Sequence, residues 1–214
     1  MSIASVREAV NAFKTGEYLI IVDDEDRENE GDLAIAADFV TPEAVNFFAK
    51  EGRGLICTAM APGLIDKFRL PMMVPKDQNQ SGFGTPFTVS VEAAQGVTTG
   101  ISAFDRAHTI RTLIDPASTP GDIVTPGHTF PLRADPDGVL ARDGQTEASV
   151  DLAKLAGLTP AAMICEVMND DGTMARLPDL EVFAARHALK IITVKAIQEY
   201  RRAQENTAPL SAVG

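Results

Sequence analysis

The sequence predicts an α+β fold in which a mixed β-sheet is covered by helices. Two observations lead to this prediction. Segments with apolar residues at helical spacing alternate irregularly with short β-rich apolar runs, and some neighbouring runs are close enough in the chain to pair as hairpins. The chain has 214 residues, 45% of them hydrophobic, so it can bury a core, and this length fits one domain. We therefore expect a single domain over residues 1–214, frayed from about residue 204.

Each element is predicted from its own local pattern. Apolar residues at helical spacing over residues 3–13, with Gly16 as a C-terminal stop, predict the first helix. A proline after Thr41 and hydroxyl caps at Ser102 and Thr146 mark three more helix starts. After the first helix, the predicted elements are strands over residues 18–22 and 33–37, a helix over 41–50, a strand over 54–60, an irregular segment over 61–86, a strand over 87–91, a helix over 102–114, a long ordered loop over 115–131, a helix over 146–155 ending at Gly157, a strand over 161–167, a turn over 169–172, a helix over 180–188, a strand over 190–194 and a helix ending near residue 203.

The composition argues against several classes of protein. The formal net charge of -11 disfavours a nucleic-acid or anionic-membrane surface, since both recruit clusters of Lys and Arg. No apolar run approaches the ~20 residues needed to span a bilayer, and the N-terminus lacks an apolar signal core. Cys57 and Cys165 lie in apolar runs without CxxC spacing, which predicts buried free thiols. We therefore expect a cytoplasmic protein with neither nucleic acid nor membrane as a partner.

The acidic segment DDEDRENEGD, residues 23–32, places its carboxylates around one arginine between two predicted core strands. On an extended backbone, Glu28, Glu30 and Asp32 point the same way, so their carboxylates converge. Converging carboxylates repel one another unless a cation joins them, and Mg²⁺ prefers such oxygen ligands. Arg27 either offsets this charge or holds a substrate phosphate. The competing interpretation is a solvated acidic turn.

Two further residues are of types that transfer protons. Glu166 stands in the apolar stretch AAMICEVM, where burial would raise a carboxyl pKa and suit a general acid or base. His128 lies in the predicted loop over residues 115–131, whose prolines and glycines are typical of an ordered, functional loop. The alternatives are a strand-end or salt-bridged glutamate and an incidental loop histidine.

The segment RDGQT, residues 142–146, directly precedes a predicted helix. The fork-shaped donor of Arg142, the flexible Gly144 and the free N–H groups of a helix start together make a phosphate site. A capped helix start with a solvated arginine is the alternative. VTTGISAFDR, residues 97–106, is a second and weaker candidate of the same kind. Combined, these signals predict a phosphorylated small substrate, an oxygen-ligated metal ion and a Glu–His pair for proton transfers.

Five motifs, in this order along the chain, carry a resemblance to a known family: DDEDRENEGD, GVTTGISAFDR, PGHTFPLRA, RDGQTEASVDL and MNDDGTMAR. They resemble those of the 3,4-dihydroxy-2-butanone 4-phosphate synthases of riboflavin biosynthesis, over roughly residues 5–202. The resemblance implies a three-layer α+β fold, a homodimer, and dependence on Mg²⁺, with Mn²⁺ as a possible alternative ion. It also implies a lyase that converts D-ribulose 5-phosphate into L-3,4-dihydroxy-2-butanone 4-phosphate and formate.

The resemblance also assigns roles by motif position. His128 and Glu166 match the two essential catalytic positions of the family, and Glu28 and Gln145 match metal positions. The positions that match substrate-binding residues are Arg27, Glu28, Asp32, Arg142, Asp143, Gly144, Gln145, Thr146 and Glu166, with Arg142 and Thr146 nearest the phosphate.

Gln145 departs from the family pattern R-x-G-H-T-E, in which a histidine binds the metal. An amide oxygen still suits the hard Mg²⁺ ion, so we expect Gln145 to act as a ligand. Two rival functions are a different metal-assisted enolisation of a sugar phosphate, and a non-catalytic homologue that senses the sugar phosphate. Some family members carry a GTP cyclohydrolase II domain whose zinc site needs several cysteines. With two cysteines, this chain is expected to be a single catalytic domain.

Overall fold

The computed structural model describes residues 3–207, and its strands confirm the predicted mixed sheet. The strands are β1 Leu19–Val22, β2 Gly31–Ala36, β3 Cys57–Met60, β4 Val91–Ala93, β5 Ile123–Arg133, β6 Ala161–Glu166 and β7 Lys190–Thr193. They lie in the order β4–β5–β3–β6–β2–β1–β7. The pairs β1–β7 and β3–β5 are parallel, and the other neighbours are antiparallel.

Helices cover both faces of this sheet, which confirms the three-layer arrangement. They are α1 Val6–Thr15, α2 Pro42–Phe47, α3 Pro62–Lys67, α4 Ala103–Ile114, α5 Gln145–Ala156, α6 Leu177–His187 and α7 Val194–Thr207. One buried cluster joins α2, α3, α4 and α6 to one face of the sheet. The other joins α1, α5 and α7 to the opposite face.

The central strands are mostly apolar because both of their faces are buried. Ile20 and Leu33 belong to one cluster, whereas their neighbours Ile21 and Ala34 belong to the other. Successive side chains of a strand point to opposite faces, so a strand between two helical layers needs apolar residues at every position. A polar residue in such a strand therefore stands out.

Strand β5 corrects the predicted long loop over residues 115–131. Its ladder with β4 pairs Glu92 with Val124 and Val91 with Thr129, which leaves residues 125–128 in a bulge outside the regular register. Proline cannot donate a ladder hydrogen bond, and the bulge takes in Pro126 without requiring one. Pro126 and Gly127, which indicate a loop in the sequence, thus mark an irregularity within a strand, whereas residues 115–122 precede the strand.

Other boundaries also differ from the predictions. The predicted strand over residues 87–91 contains isolated bridges only, at Phe87 and Thr88, and β4 begins at Val91. Thr146 does not cap α5, because Gly144 is the N-cap and Thr146 lies in the first turn. The last helix continues to residue 207, four residues beyond its predicted end near residue 203, and residues 208–214 of the tail predicted to fray lie outside the described residues.

Several strands and helices begin a few residues away from their predicted starts. Strand β2 starts two residues early, β3 three residues late, and α6 three residues early. Element ends commonly shift this much, because the terminal turns of helices fray and the last residues of strands depend on their neighbours. The predicted turn at residues 169–172 is confirmed by the hydrogen bond that the N–H of Gly172 donates to the carbonyl of Asn169.

Gly127→Ala is expected to destabilise the protein, because the added Cβ would lie 2.2 Å from the carbonyl carbon and oxygen of Val91. These are backbone atoms that cannot rotate away, so we expect a loss of about 1–3 kcal/mol in the free energy of unfolding, as for other overpacked sites. Urea denaturation followed by circular dichroism measures it.

Gly63→Ala is the matched control. A Cβ at Gly63 meets nothing within 4 Å, and the residue lies in α3, where alanine is the better helix former. We expect this variant to keep or raise the denaturation midpoint. Equal midpoints for the two variants would show that the bulge does not need a glycine.

Candidate active site

A small cavity of about 60 Å³ opens beside the first turn of α5, where β2 and β3 begin and β6 ends. Its lining residues are Glu28, Asp32, Leu55, Cys57, Thr85, Phe87, Leu132, Arg142, Gln145, Thr146, Ile164 and Glu166. Larger surface clefts of about 350 and 370 Å³ flank the outer side of the acidic loop, and neither contains Asp32 or Glu166. The small cavity therefore collects most of the residues that the sequence singles out.

Asp32 and Glu166 form a pair of carboxylates at the floor of the cavity. They are register partners on the antiparallel strands β2 and β6, so both side chains lie on the face covered by α5. Asp32 is 6% exposed. Burial, followed by the charges of Glu166 and Glu28, raises the pKa of Asp32 well above its usual value. Two like charges held opposite each other favour a bound proton or a cation.

The sequence predicted Glu166 as the buried carboxyl group. Of this pair, however, Asp32 is the more deeply buried. Glu166 ends β6 and is partly buried. Its Oε2 accepts a hydrogen bond of 2.8 Å from the backbone N–H of Leu55. A strand end exposes the carboxylate to the cavity, while its apolar neighbours remain in the core. The Glu166 carboxylate is thus oriented by the backbone and open to a ligand.

The acidic loop is folded around Asp23, whose side chain is fully buried. Its carboxylate accepts hydrogen bonds from the backbone N–H groups of Glu28 (3.1 Å) and Glu30 (2.8 Å) and from Nη1 of Arg27 (2.7 Å). These contacts exclude a freely solvated turn for this segment. They also bend the loop, so the predicted convergence on an extended backbone is only partly correct. Glu28 and Asp32 line the cavity, and Glu30 lines the outer cleft.

Arg27 ties the acidic loop to the start of α5. Besides Asp23, its guanidinium contacts carboxylates of Glu28 and Asp143 at 3.3 Å and donates to Oε1 of Gln145 at 3.2 Å. It also stacks on the ring of Phe83, with 5.2 Å between guanidinium carbon and ring centroid. The amide group of Gln145 donates in turn to the carbonyl of Glu30 at 3.5 Å. Arg27 and Gln145 therefore connect two segments that both border the cavity.

Arg142 lies beside the first turn of α5, whose backbone N–H groups have no partner within the helix. The N-cap Gly144 offers no side-chain cap, and a Cβ there would lie 2.3 Å from Nη1 of Arg142. The guanidinium makes an ion pair of 2.6 Å with Glu147, which is fully buried. With the buried Thr146 alongside, this arrangement suits a phosphate group.

The second candidate for a phosphate site, residues 97–106, is occupied by its own contacts. The carboxylate of Asp105 accepts hydrogen bonds from the N–H and hydroxyl of Thr98 and from the N–H of Gly100. Donors that are satisfied internally are not free for a ligand. None of these residues lines the cavity.

His128 lies outside the cavity. It belongs to the bulge of β5, and its side chain is 47% exposed. The predicted site residues that line the cavity are Glu28, Asp32, Arg142, Gln145, Thr146 and Glu166. Arg27, Asp143 and Gly144 lie beside it, since Arg27 contacts both Gln145 and Asp143 and Gly144 is the N-cap of α5, whereas His128 lies apart from them.

Sequence reasoning missed three residues that the structure places at this site. Asp23 and Glu147 orient the two arginines, and Cys57 contributes a wall of the cavity. Burial raises the pKa of the Cys57 thiol well above its usual value, so it is an apolar wall and not a nucleophile. A usable signal for Glu147 is its place in the first helical turn, five residues after Arg142. Asp23 carries no signal that sets it apart from the other acidic residues of the loop.

Among residues 3–207, no three His, Cys, Asp or Glu side chains are arranged as a metal site. No helix in this range combines the length and apolar character that crossing a bilayer requires.

Comparison with curated proteins identifies close relatives. The 3,4-dihydroxy-2-butanone 4-phosphate synthase of Neisseria meningitidis serogroup A is 56% identical over 204 residues, which cover 95% of this chain and 56% of that protein. The synthase of Agrobacterium fabrum is 52% identical over 204 residues and is covered to 95%, as is this chain. The riboflavin biosynthesis protein RibBA of Aquifex aeolicus is 56% identical over 203 residues, or 94% of this chain and 50% of that protein. The chain thus spans about half the length of several relatives it matches.

Solved structures agree with these relatives. RibBX of A. baumannii, described as a two-domain 3,4-dihydroxy-2-butanone 4-phosphate synthase, is 49% identical with a TM-score of 0.89, over 92% of this chain and 58% of that one. A synthase in complex with two magnesium ions is 40% identical with a TM-score of 0.89, over 94% and 98%. The sequence model of 3,4-dihydroxy-2-butanone 4-phosphate synthase matches residues 7–200. Since this match spans most of the chain and close relatives exceed 50% identity, the chain belongs to the 3,4-dihydroxy-2-butanone 4-phosphate synthase family.

Proposed function

We propose that this protein is a 3,4-dihydroxy-2-butanone 4-phosphate synthase of riboflavin biosynthesis. It would convert D-ribulose 5-phosphate into L-3,4-dihydroxy-2-butanone 4-phosphate and formate. The observation that carries this proposal is the Asp32–Glu166 carboxylate pair, which shares one cavity with a guanidinium and a helix N-terminus. Proton transfer and phosphate binding are thereby combined in a single site. The relative from Agrobacterium fabrum, matched over 95% of both chains, supports a single catalytic domain over residues 1–214.

The phosphate of the substrate is assigned to the start of α5. Arg142 lies there in a fixed position because Glu147 holds its Nη1, and Gly144 leaves the space for it. The N–H groups of the first turn and the hydroxyl of Thr146 complete the set of donors. Arg27, Asp143 and Gln145 border the same end of the site and are proposed to contact the sugar phosphate as well.

Glu28 and Gln145 are the proposed ligands of a Mg²⁺ ion, for which Mn²⁺ is the proposed substitute. The residues present fit a cation. Burial raises the pKa of Glu28 although the charge of Arg27 opposes the shift, and burial together with four neighbouring carboxylates raises the pKa of Asp32. A Mg²⁺ ion with one or two carboxylates, waters and substrate oxygens suits this cavity. When bound, it supplies positive charge opposite the negative oxygens that develop as the ketose loses a proton.

Glu166 is proposed to move the proton next to the substrate carbonyl. Its Oε2 is fixed by the N–H of Leu55, so the carboxylate faces the cavity in one orientation. Asp32, with its raised pKa, offers a second carboxyl group that can hold a proton beside it. Loss of water, rearrangement of the carbon skeleton and release of formate all need further proton transfers, for which two carboxyl groups and an imidazole are suitable.

His128 enters this scheme through a second copy of the chain. We propose a homodimer, because within one chain His128 lies outside the cavity that holds Glu166. Large apolar side chains near it are exposed, with Ile101 at 53%, Phe104 at 71% and Val124 at 47%. Exposed apolar surface of this kind is typical of a site of association. A cytoplasmic location without nucleic acid or membrane as a partner stays a prediction.

Glu166→Gln is expected to lower the rate of formate production from D-ribulose 5-phosphate and Mg²⁺ by at least about 100-fold, which is the lower end of what general acid–base catalysis supplies. The amide oxygen can still accept from Leu55, so substrate affinity measured by calorimetry should stay within about tenfold. The exposed Glu181→Gln is the control with the same chemical change and should keep its rate. Wild-type protein that binds the substrate without forming formate would instead support the rival function, a non-catalytic homologue that senses the sugar phosphate.

Gln145→Ala is expected to raise the Mg²⁺ concentration for half-maximal rate by about tenfold, since changes around a metal commonly cost 10–100-fold in affinity. Gln145→His should keep activity and shift the preference towards Mn²⁺, which favours nitrogen ligands more than Mg²⁺ does. Titration of Mg²⁺ at saturating substrate measures the midpoint. An unmoved midpoint with a raised KM would mean that Gln145 only positions Arg27 and the substrate.

Mixing Glu166→Gln with His128→Ala chains is expected to restore activity far above the residual rate of either variant alone. If each cavity takes His128 from the partner, half of a random mixture is heterodimer with one intact cavity, so about a quarter of the wild-type rate returns. The variants are unfolded together, refolded and assayed for formate. A mixture that stays inactive, while refolded wild-type protein recovers, would place His128 in its own chain's chemistry.

A further inference from the structure

Glu92 on β4 carries a carboxylate that is in contact with His128. Its Oε1 lies 2.5 Å from Nδ1 of the imidazole. The Glu92 side chain is only 16% exposed, whereas that of His128 is 47% exposed. The contact spans 36 positions of the chain, so the β4–β5 pairing creates it and no local sequence pattern does. A buried carboxylate thus sits behind a ring whose other side is open.

Two glycines lie close to the Glu92–His128 pair, and neither position has space for a side chain. A Cβ at Gly100 would lie 1.3 Å from Oε1 of Glu92, so only glycine leaves the space that this carboxylate occupies. Gly127 packs directly on the backbone of Val91 and donates its N–H to Oγ of Ser90 at 3.2 Å. The bulge is thereby held close to β4, with His128 beside Glu92.

The chemistry of the two partners fixes how the neutral ring is protonated. An ionised carboxylate only accepts hydrogen bonds, so the nitrogen facing it must carry the proton. Nδ1 is then the donor, and Nε2 keeps its lone pair. Within the part of the chain that the structure describes, Nε2 of His128 makes no hydrogen bond. The free lone pair therefore lies on the exposed side of the ring.

We propose that Glu92 is a positioning residue that holds His128 in the Nδ1–H tautomer and presents its Nε2 as the proton acceptor. This inference rests on the proposed function, because the role of His128 in the reaction belongs to that proposal. It adds a residue on a strand that lies away from the cavity residues of the same chain.

Nitrogen NMR of the imidazoles tests the tautomer without any assay of activity. The chain has three histidines, so His128 is assigned from the His128→Ala spectrum, and the other two serve as internal references. In the wild-type protein, at a pH where the ring is neutral, Nδ1 should carry the proton. Glu92→Gln keeps the shape but offers an amide that can either donate or accept, so Nε2–H should rise to about half of the population. Glu92→Asp keeps an acceptor-only group and should retain the wild-type tautomer.

Kinetics supply the second readout. Glu92→Gln should lower kcat by about 10–100-fold and leave KM within about threefold, because a residue that orients a base acts on the chemical step. The double variant Glu92→Gln/His128→Ala should be no slower than His128→Ala alone, since both changes remove the same function. Glu181→Gln is the exposed control and should change neither spectrum nor rate.

The results separate this inference from the proposed function. An unchanged tautomer in Glu92→Gln, or rate losses that multiply in the double variant, would overturn the role of Glu92. Failure of the wild-type protein to form formate would overturn the proposed function instead, and the NMR spectra would still decide the tautomer. A shifted tautomer together with a lowered kcat and non-additive losses is the expected outcome.

Discussion

The site depends on one buried negative charge, the carboxylate of Asp23. Its side chain has no exposed surface, and it accepts from two backbone N–H groups of the acidic loop and from Arg27. A buried charge that loses its partners typically costs several kcal/mol, so this set of bonds holds the loop in one shape. Through Arg27 the same carboxylate reaches Gln145, and hence the first turn of α5. The loop and the helix start are therefore positioned by a common network.

The sheet adds a second constraint. Its register places Asp32 directly opposite Glu166, although two carboxylates repel each other. Like charges directly opposite on neighbouring strands destabilise a sheet, by an amount of the order of 0.2–1 kcal/mol in exposed pairs. Burial of Asp32 increases that cost. A fold that keeps such a pair in its central strands gives up stability at one place, and such places are commonly functional. The carboxylates that weaken the sheet are the ones proposed to carry the chemistry.

Sequence patterns predict those parts of the fold that are decided locally. The first helix, with its stop at Gly16, and the capped start of α4 at Ser102 depend on neighbours a few residues away, and both are confirmed. Strand β5 could not be predicted, because Pro126 and Gly127 lie in a bulge that exists only against β4. The motifs also pointed to the cavity residues. They could not show that Asp32 is more deeply buried than Glu166, since that depends on where β6 ends and on what covers each strand.

The position of the acid pair within the sheet has a consequence for motion. Strands β2 and β6 are each paired on both edges, so their backbone hydrogen bonds break only when a large part of the domain opens. The segment that carries Phe83 rests on Arg27 through its ring and on Arg142 through its backbone carbonyl. We expect this segment to move more readily than the strands, and so to alter access to the cavity. The spacing between the carboxylates of Asp32 and Glu166, by contrast, changes only when a large part of the domain opens, which is the slowest motion of the molecule.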